Sequence, residues 1–136
     1  MTTEPEQSEQ PGSDAVVRDM TARPVSASRS VLSQIMLPED ANPDGHVHGG
    51  TIMKIADTAA AVAAVRHCRS RVVTARIDGM DFVAPVFVGN LISVKASVNL
   101  AGHTSMEVGV RVEAENPRTA AVWHVASAYF VYVSLD

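Results

Sequence analysis

From Gly49 to about Arg66 the chain carries no proline, is dense in alanine, and has apolar residues around almost the whole of a helical wheel. Ile52, Met53, Ile55, Ala56, Ala59, Ala60, Val62, Ala63 and Val65 supply that surface, and Lys54 and Asp57 are the only charged groups before Arg66. The pattern predicts a helix buried on nearly all sides. A chain of 136 residues builds one hydrophobic core. A domain of that size hides such a helix only if a sheet curls around it or a partner covers what the sheet leaves open.

The flanking sequence supplies the sheet. Val31, Ser33, Ile35 and Leu37 alternate with Leu32, Gln34 and Met36, predicting a strand that stops at Pro38. Val73, Ala75 and Ile77 alternate with Thr74, Arg76 and Asp78, so one set is expected on the core face and the other in water. Ile92 to Leu100 and Met106 to Val112 alternate in the same way. The last run, Ala120 to Val133, is apolar on both faces and reads as a central strand or one buried by an oligomer contact. Ala101-Gly102-His103 and Asn116-Pro117-Arg118 are short enough for hairpins. The expected fold class is α+β: one long central helix wrapped by a curved, mainly antiparallel sheet of about five strands.

Residues 1–27 are rich in Glu, Gln, Ser, Pro and Thr and are expected to form a disordered tail before a domain spanning 28–136. A net charge of −4 argues against a broad nucleic-acid or membrane footprint. Cys68 is the only cysteine, which rules out an intramolecular disulfide and fits a reducing compartment. No apolar run is long enough to span a bilayer, and the first residues lack a secretory-signal pattern, so a cytoplasmic location is expected.

Chemistry concentrates in Asn42-Pro43-Asp44-Gly45-His46-Val47-His48-Gly49-Gly50, with Asp57 seven residues further on. Two glycines at a helix start allow close backbone approach and leave N–H groups pointing outward, where the helix dipole adds partial positive charge. A carbonyl or anionic oxygen is the natural guest, which makes Gly50 and Gly49 an oxyanion-hole candidate. Asp57 shares their face about 10 Å along the helix. An unpaired carboxylate in an apolar helix costs several kcal/mol. Asp57 is either poised in a dry cleft as base or nucleophile, or tied to Lys54 in a surface ion pair at spacing i,i+3. His46 and His48, even with His67 and Cys68, lack the spacing of a metal site, and none is expected. Phe82, Val83 and Pro85 belong to an apolar stretch suited to line a binding channel.

Asn42 through Cys68 resembles the signature segment of cytosolic hotdog-fold acyl-CoA thioesterases: an Asn, a Gly-containing turn, His-Gly-Gly, Met-Lys, an acidic residue, then Arg-His-Cys. Val72 to Asp78, Phe82 to Gly89 and Gly102 to Glu107 are similar to further segments of that family, so the likeness covers about Arg29 to Ser134. The resemblance implies a hotdog fold and hydrolysis of acyl-CoA without a cofactor, CoA being part of the substrate. It implies that Asn42 and Asp57 form a catalytic pair meeting across a dimer interface, in a homo-oligomer assembled as a trimer of dimers. His48 is then expected beside the thioester. Arg76 is a candidate for the CoA phosphates, while Gly102, Thr104 and Ser105 could approach the pantetheine or simply form a hairpin. Two other readings stand beside hydrolysis: a hotdog enoyl-CoA hydratase or dehydratase, and a non-catalytic acyl-CoA sensing module. Against the first, Asp40 and His46 are six apart where such enzymes commonly space Asp and His by five; against the second, residues 1–28 are too short and acidic for a DNA-binding segment.

Overall fold

The computed structural model describes residues 28–135; the expected disordered tail lies outside them. Strand β1 (Ser30–Ile35) leads through a 3-10 turn (Pro38–Asp40) and a loop into helix α1 (Gly49–Cys68). Strands β2 (Val72–Phe82), β3 (Leu91–Ala101), β4 (Ser105–Asn116) and β5 (Ala121–Ser134) follow. They form one antiparallel sheet in the order β1-β3-β4-β5-β2, with α1 packed on one face. This is the expected α+β architecture, and β5 is central as its double-faced apolarity predicts.

The core lies between α1 and the sheet. Ile52, Ile55, Ala56, Ala59, Ala60, Ala63 and Ala64 make a buried stripe at helical spacing. Its alanines let the helix settle close to the sheet, where Ile92, Val94, Val98, Val108, Val112 and Phe130 are buried against it. Each large side chain fully withdrawn from water contributes about 1.5–3 kcal/mol.

Three expectations change in detail. The helix is not covered all round: Val62 and Val65 remain 38% and 40% exposed, because the sheet of one chain reaches only one side of it. It also continues past Arg66 to Cys68, where Arg69 takes a left-handed conformation (φ 56°) and its N–H caps the Val65 carbonyl. The simple alternation expected in β2 is broken by two irregularities, between Thr74 and Arg76 and between Asp78 and Asp81. Thr74 lies opposite buried Tyr132 and Ile77 opposite buried Phe130, so both face the helix, whereas Arg76 opposite Val131 and Asp78 opposite half-exposed Tyr129 face outward. An inserted residue reverses strand parity, which is how a bulge re-aims side chains.

Candidate active site

The loop before α1 is closed on itself. The Asn42 N–H donates to the His46 carbonyl (2.8 Å) and the Gly45 N–H to the Asn42 carbonyl (2.9 Å). Gly45 sits at φ 85°, a conformation that favours glycine. The Asn42 side-chain oxygen accepts the N–H groups of Asp44 (3.0 Å) and His46 (3.1 Å). Both partners are donors, so Oδ1 is committed to the loop and the side-chain NH2 is the end left to meet anything else. The loop is stitched to the segment after β2 by the Val47 N–H to the Val86 carbonyl (2.8 Å) and by an edge contact of the His46 and Phe87 rings.

His48 is the N-cap residue of α1, exposed and without a side-chain capping bond. Its carbonyl takes the N–H groups of Thr51 and Ile52, and the N–H groups of Gly49 and Gly50 have no carbonyl partner among the described residues. The two glycines differ in surroundings. A Cβ on Gly49 would lie 3.4 Å from the Phe82 ring, whereas one on Gly50 would meet nothing within 4 Å. Gly49 therefore admits the ring, and Gly50 opens its backbone to the surface.

Asp57, one helix face further along, is half-buried. Its Oδ1 accepts hydrogen bonds from the Thr74 hydroxyl (2.9 Å) and from the Tyr132 phenol, whose single O–H is shared with the Asp57 backbone carbonyl (2.8 Å). Thr74 and Tyr132 are cross-strand partners in β2 and β5, so their hydroxyls converge on one carboxylate oxygen. Burial, and then the Asp57 carboxylate, hold the Tyr132 phenol well above the usual tyrosine range. The alternative Lys54–Asp57 ion pair is absent among the described residues. Sequence periodicity alone does not single out Thr74 or Tyr132. Alternation groups Thr74 with Arg76 and Asp78, from which the bulge separates it, and Tyr132 lies within the apolar run of β5.

The other expected site residues are spread unevenly. Phe82 (43% exposed) and Val83 (62%) form an open apolar wall beside Gly49, and the Pro85 carbonyl accepts the Trp123 indole N–H (3.1 Å). Arg76 is on the outer face, paired with Asp78 at 3.0 Å, and is not beside Asp57 within this chain. Gly102, Thr104 and Ser105 form the β3–β4 hairpin, with the Gly102 N–H bonded to the Ser105 carbonyl (2.7 Å) and the Thr104 carbonyl to the Ser134 N–H (2.7 Å). Asn42 and Asp57 share no hydrogen bond among the described residues. No group of three His, Cys, Asp or Glu side chains among the described residues could hold a metal ion, and no helix there is long and apolar enough to cross a membrane.

One long helix laid on a curved five-stranded antiparallel sheet is the hotdog fold. The model of the thioesterase superfamily matches residues 44–121, and the chain belongs to that family, among its hotdog acyl-CoA thioesterases. The cytosolic acyl coenzyme A thioester hydrolase of Rattus norvegicus is 36% identical over 114 residues, 82% of this chain and 30% of that protein. The acyl-CoA hydrolase of Staphylococcus aureus, solved with butyryl coenzyme A, coenzyme A and coenzyme A disulfide, superposes with a TM-score of 0.81 at 32% identity, covering 85% of this chain and 71% of that one. Further structures of that hydrolase carry an asparagine, an aspartate or a threonine replaced by alanine, at positions fifteen and then seventeen residues apart. A hexameric acyl-CoA thioesterase gives a TM-score of 0.83 at 35% identity, covering 86% of this chain and 75% of that one.

Proposed function

We propose that this protein hydrolyses acyl-CoA thioesters to the free acid and CoA, with Asp57 as the reacting carboxylate. The observation that carries the reading is Asp57 itself. It is a half-buried acid in an apolar helix, held through Oδ1 by two hydroxyls and in no ion pair among the described residues. The altered asparagine, aspartate and threonine of the S. aureus hydrolase have the spacing of Asn42, Asp57 and Thr74, which supports assigning these three to one site.

Asp57 takes a proton from water, and the resulting hydroxide adds to the thioester carbonyl. Direct attack by the carboxylate, giving a mixed anhydride that water then opens, balances equally well. In either route the carbonyl oxygen gains negative charge opposite the Gly50 N–H, with Gly49 and the helix dipole assisting. The C–S bond then breaks and CoA leaves as a thiolate, which needs no strong acid to assist it. Asn42 acts through its NH2 group, donating to the carbonyl or the water oxygen. His48, Phe82, Val83 and Pro85 border the acyl and pantetheine path, with Gly102, Thr104 and Ser105 at its hairpin end and Arg76 available to CoA phosphates from the outer face.

Asn42 reaches Asp57 from a neighbouring subunit in this reading. The free edge of β2 and the uncovered Val62, Val65 and Ile77 are the surface such a dimer would use, and a trimer of dimers follows the hexameric relatives.

Asp57→Asn, isosteric and foldable, is expected to lower kcat about a hundredfold or more. Near wild-type turnover with both short-chain and long-chain acyl-CoA would remove Asp57 from the chemistry. Mixing inactive Asn42→Ala and Asp57→Ala proteins under subunit exchange should restore roughly a quarter of wild-type activity, since half the dimers then hold one intact site. Exchange verified by mass spectrometry without recovered activity would place both residues in one chain.

A further inference from the structure

We propose that Tyr132 is a positioning residue for hydrolysis: together with Thr74 it saturates Oδ1 of Asp57 and leaves Oδ2 as the reacting oxygen. The inference rests on Asp57 being the reacting carboxylate.

The two oxygens of Asp57 are not equivalent. Oδ1 accepts from two hydroxyls, one on β2 and one on β5, whereas Oδ2 has no hydrogen-bond partner among the described residues. A carboxylate held by one oxygen at two points cannot spin about its Cβ–Cγ bond without breaking both contacts. Its second oxygen is therefore fixed in direction and retains its lone pairs for a water proton or an acyl carbon.

Tyr132 is built for the task. Its ring is 1% exposed and stacked on Phe130 at a centroid distance of 6.3 Å, so the phenol has little room to move. The same hydroxyl reaches the Asp57 backbone carbonyl, which registers the middle of α1 against β5 as well as the carboxylate. Because the phenol resists ionisation, it remains a donor across the whole range in which a thioesterase works. Thr74 is directly opposite it in the sheet, and the bulge after Thr74 keeps that hydroxyl on the helix side.

The test pairs Tyr132→Phe with Thr74→Val, each deleting a hydroxyl while keeping the side chain's shape, and adds the double variant. Tyr132→Phe is expected to lower kcat about tenfold while KM for acyl-CoA stays within about twofold, since binding surfaces are untouched. One remaining hydroxyl still orients the carboxylate, so the double variant should lose several-fold more than the product of the single losses. Circular dichroism and melting curves on every variant correct each rate for the folded fraction. Asp57→Asn runs alongside. If it is inactive and Tyr132→Phe keeps wild-type kcat, or if kcat losses simply multiply, the positioning role alone is overturned. If Asp57→Asn stays active, the carboxylate assignment falls and the inference falls with it.

Discussion

Strands β4 and β2 have similar lengths and comparable apolar content, yet they behave differently. In β4, Met106, Val108, Val110, Val112 and Ala114 are all buried, and the residues between them face outward. In β2, Val73 is 45% exposed, Ile77 38% and Phe82 43%, and two irregularities break the register. β4 has a strand on either side and the helix across it; among the described residues β2 has only β5 beside it. Alternation in β4 is thus satisfied inside one chain. The apolar residues of β2 are only half satisfied there, and its bulges serve to bring Thr74 and Phe82 to the helix side, next to Asp57 and Gly49. One strand is shaped by the core and the other by a site and an open edge.

The contrast can be broken by the same change in both strands. Val108→Asp in β4 puts a charge where the side chain is 0% exposed, at a cost of several kcal/mol against a total stability of about 5–15 kcal/mol. The expected outcome is loss of the folded protein, seen as a collapsed far-UV signal and no cooperative melt. Ile77→Asp in β2 should leave the chain folded, because the side chain already meets solvent. It should instead shift the assembly to smaller species in sedimentation velocity and abolish turnover with it. An unchanged sedimentation coefficient would show that the β2 edge is not the subunit contact.

The smallest effect sharpens the outer face of β4. Glu113 accepts hydrogen bonds from Arg111 (3.0 Å) and Lys95 (3.2 Å), which together lower its pKa below the ordinary 4.5 against an opposing contribution from burial. The folded value is the depressed one, so the stabilisation is complete above the unfolded value and fades as pH falls through the folded value. Glu113→Gln should therefore lower stability slightly at pH 7, by about a few tenths of a kcal/mol or less given the solvent exposure, and the difference should fade as pH falls through the folded value. A gap that persists in acid would point to packing rather than charge.

Much of this fold was legible in the residues. Unbroken alternation announces β3 and β4, the proline-free alanine run announces α1, and Gly49 with Gly50 marks the helix start. Asp57 stood out because a carboxylate is anomalous in such a helix. Its hydroxyl partners did not. Thr74 depends on a bulge at which no glycine or proline advertises the change of parity, and Tyr132 lies 75 residues from Asp57 in a run of residues that all look like core. The exposure of Val62 and Val65 was equally hidden, since periodicity tells which residues avoid water and not whose surface covers them.

The cross-strand pair Thr74–Tyr132 also has a meaning in time. The β3–β4–β5 meander closes through short turns, whereas Val72 must find Ser134 across most of the domain. Local contacts form early because they cost little loop entropy, and distant ones wait. Asp57, Thr74 and Tyr132 come from α1, β2 and β5, so they meet only once this long-range pairing has formed. In a refolding experiment, secondary structure and core fluorescence are expected to return ahead of thioester cleavage, which makes turnover a report on the completeness of the sheet.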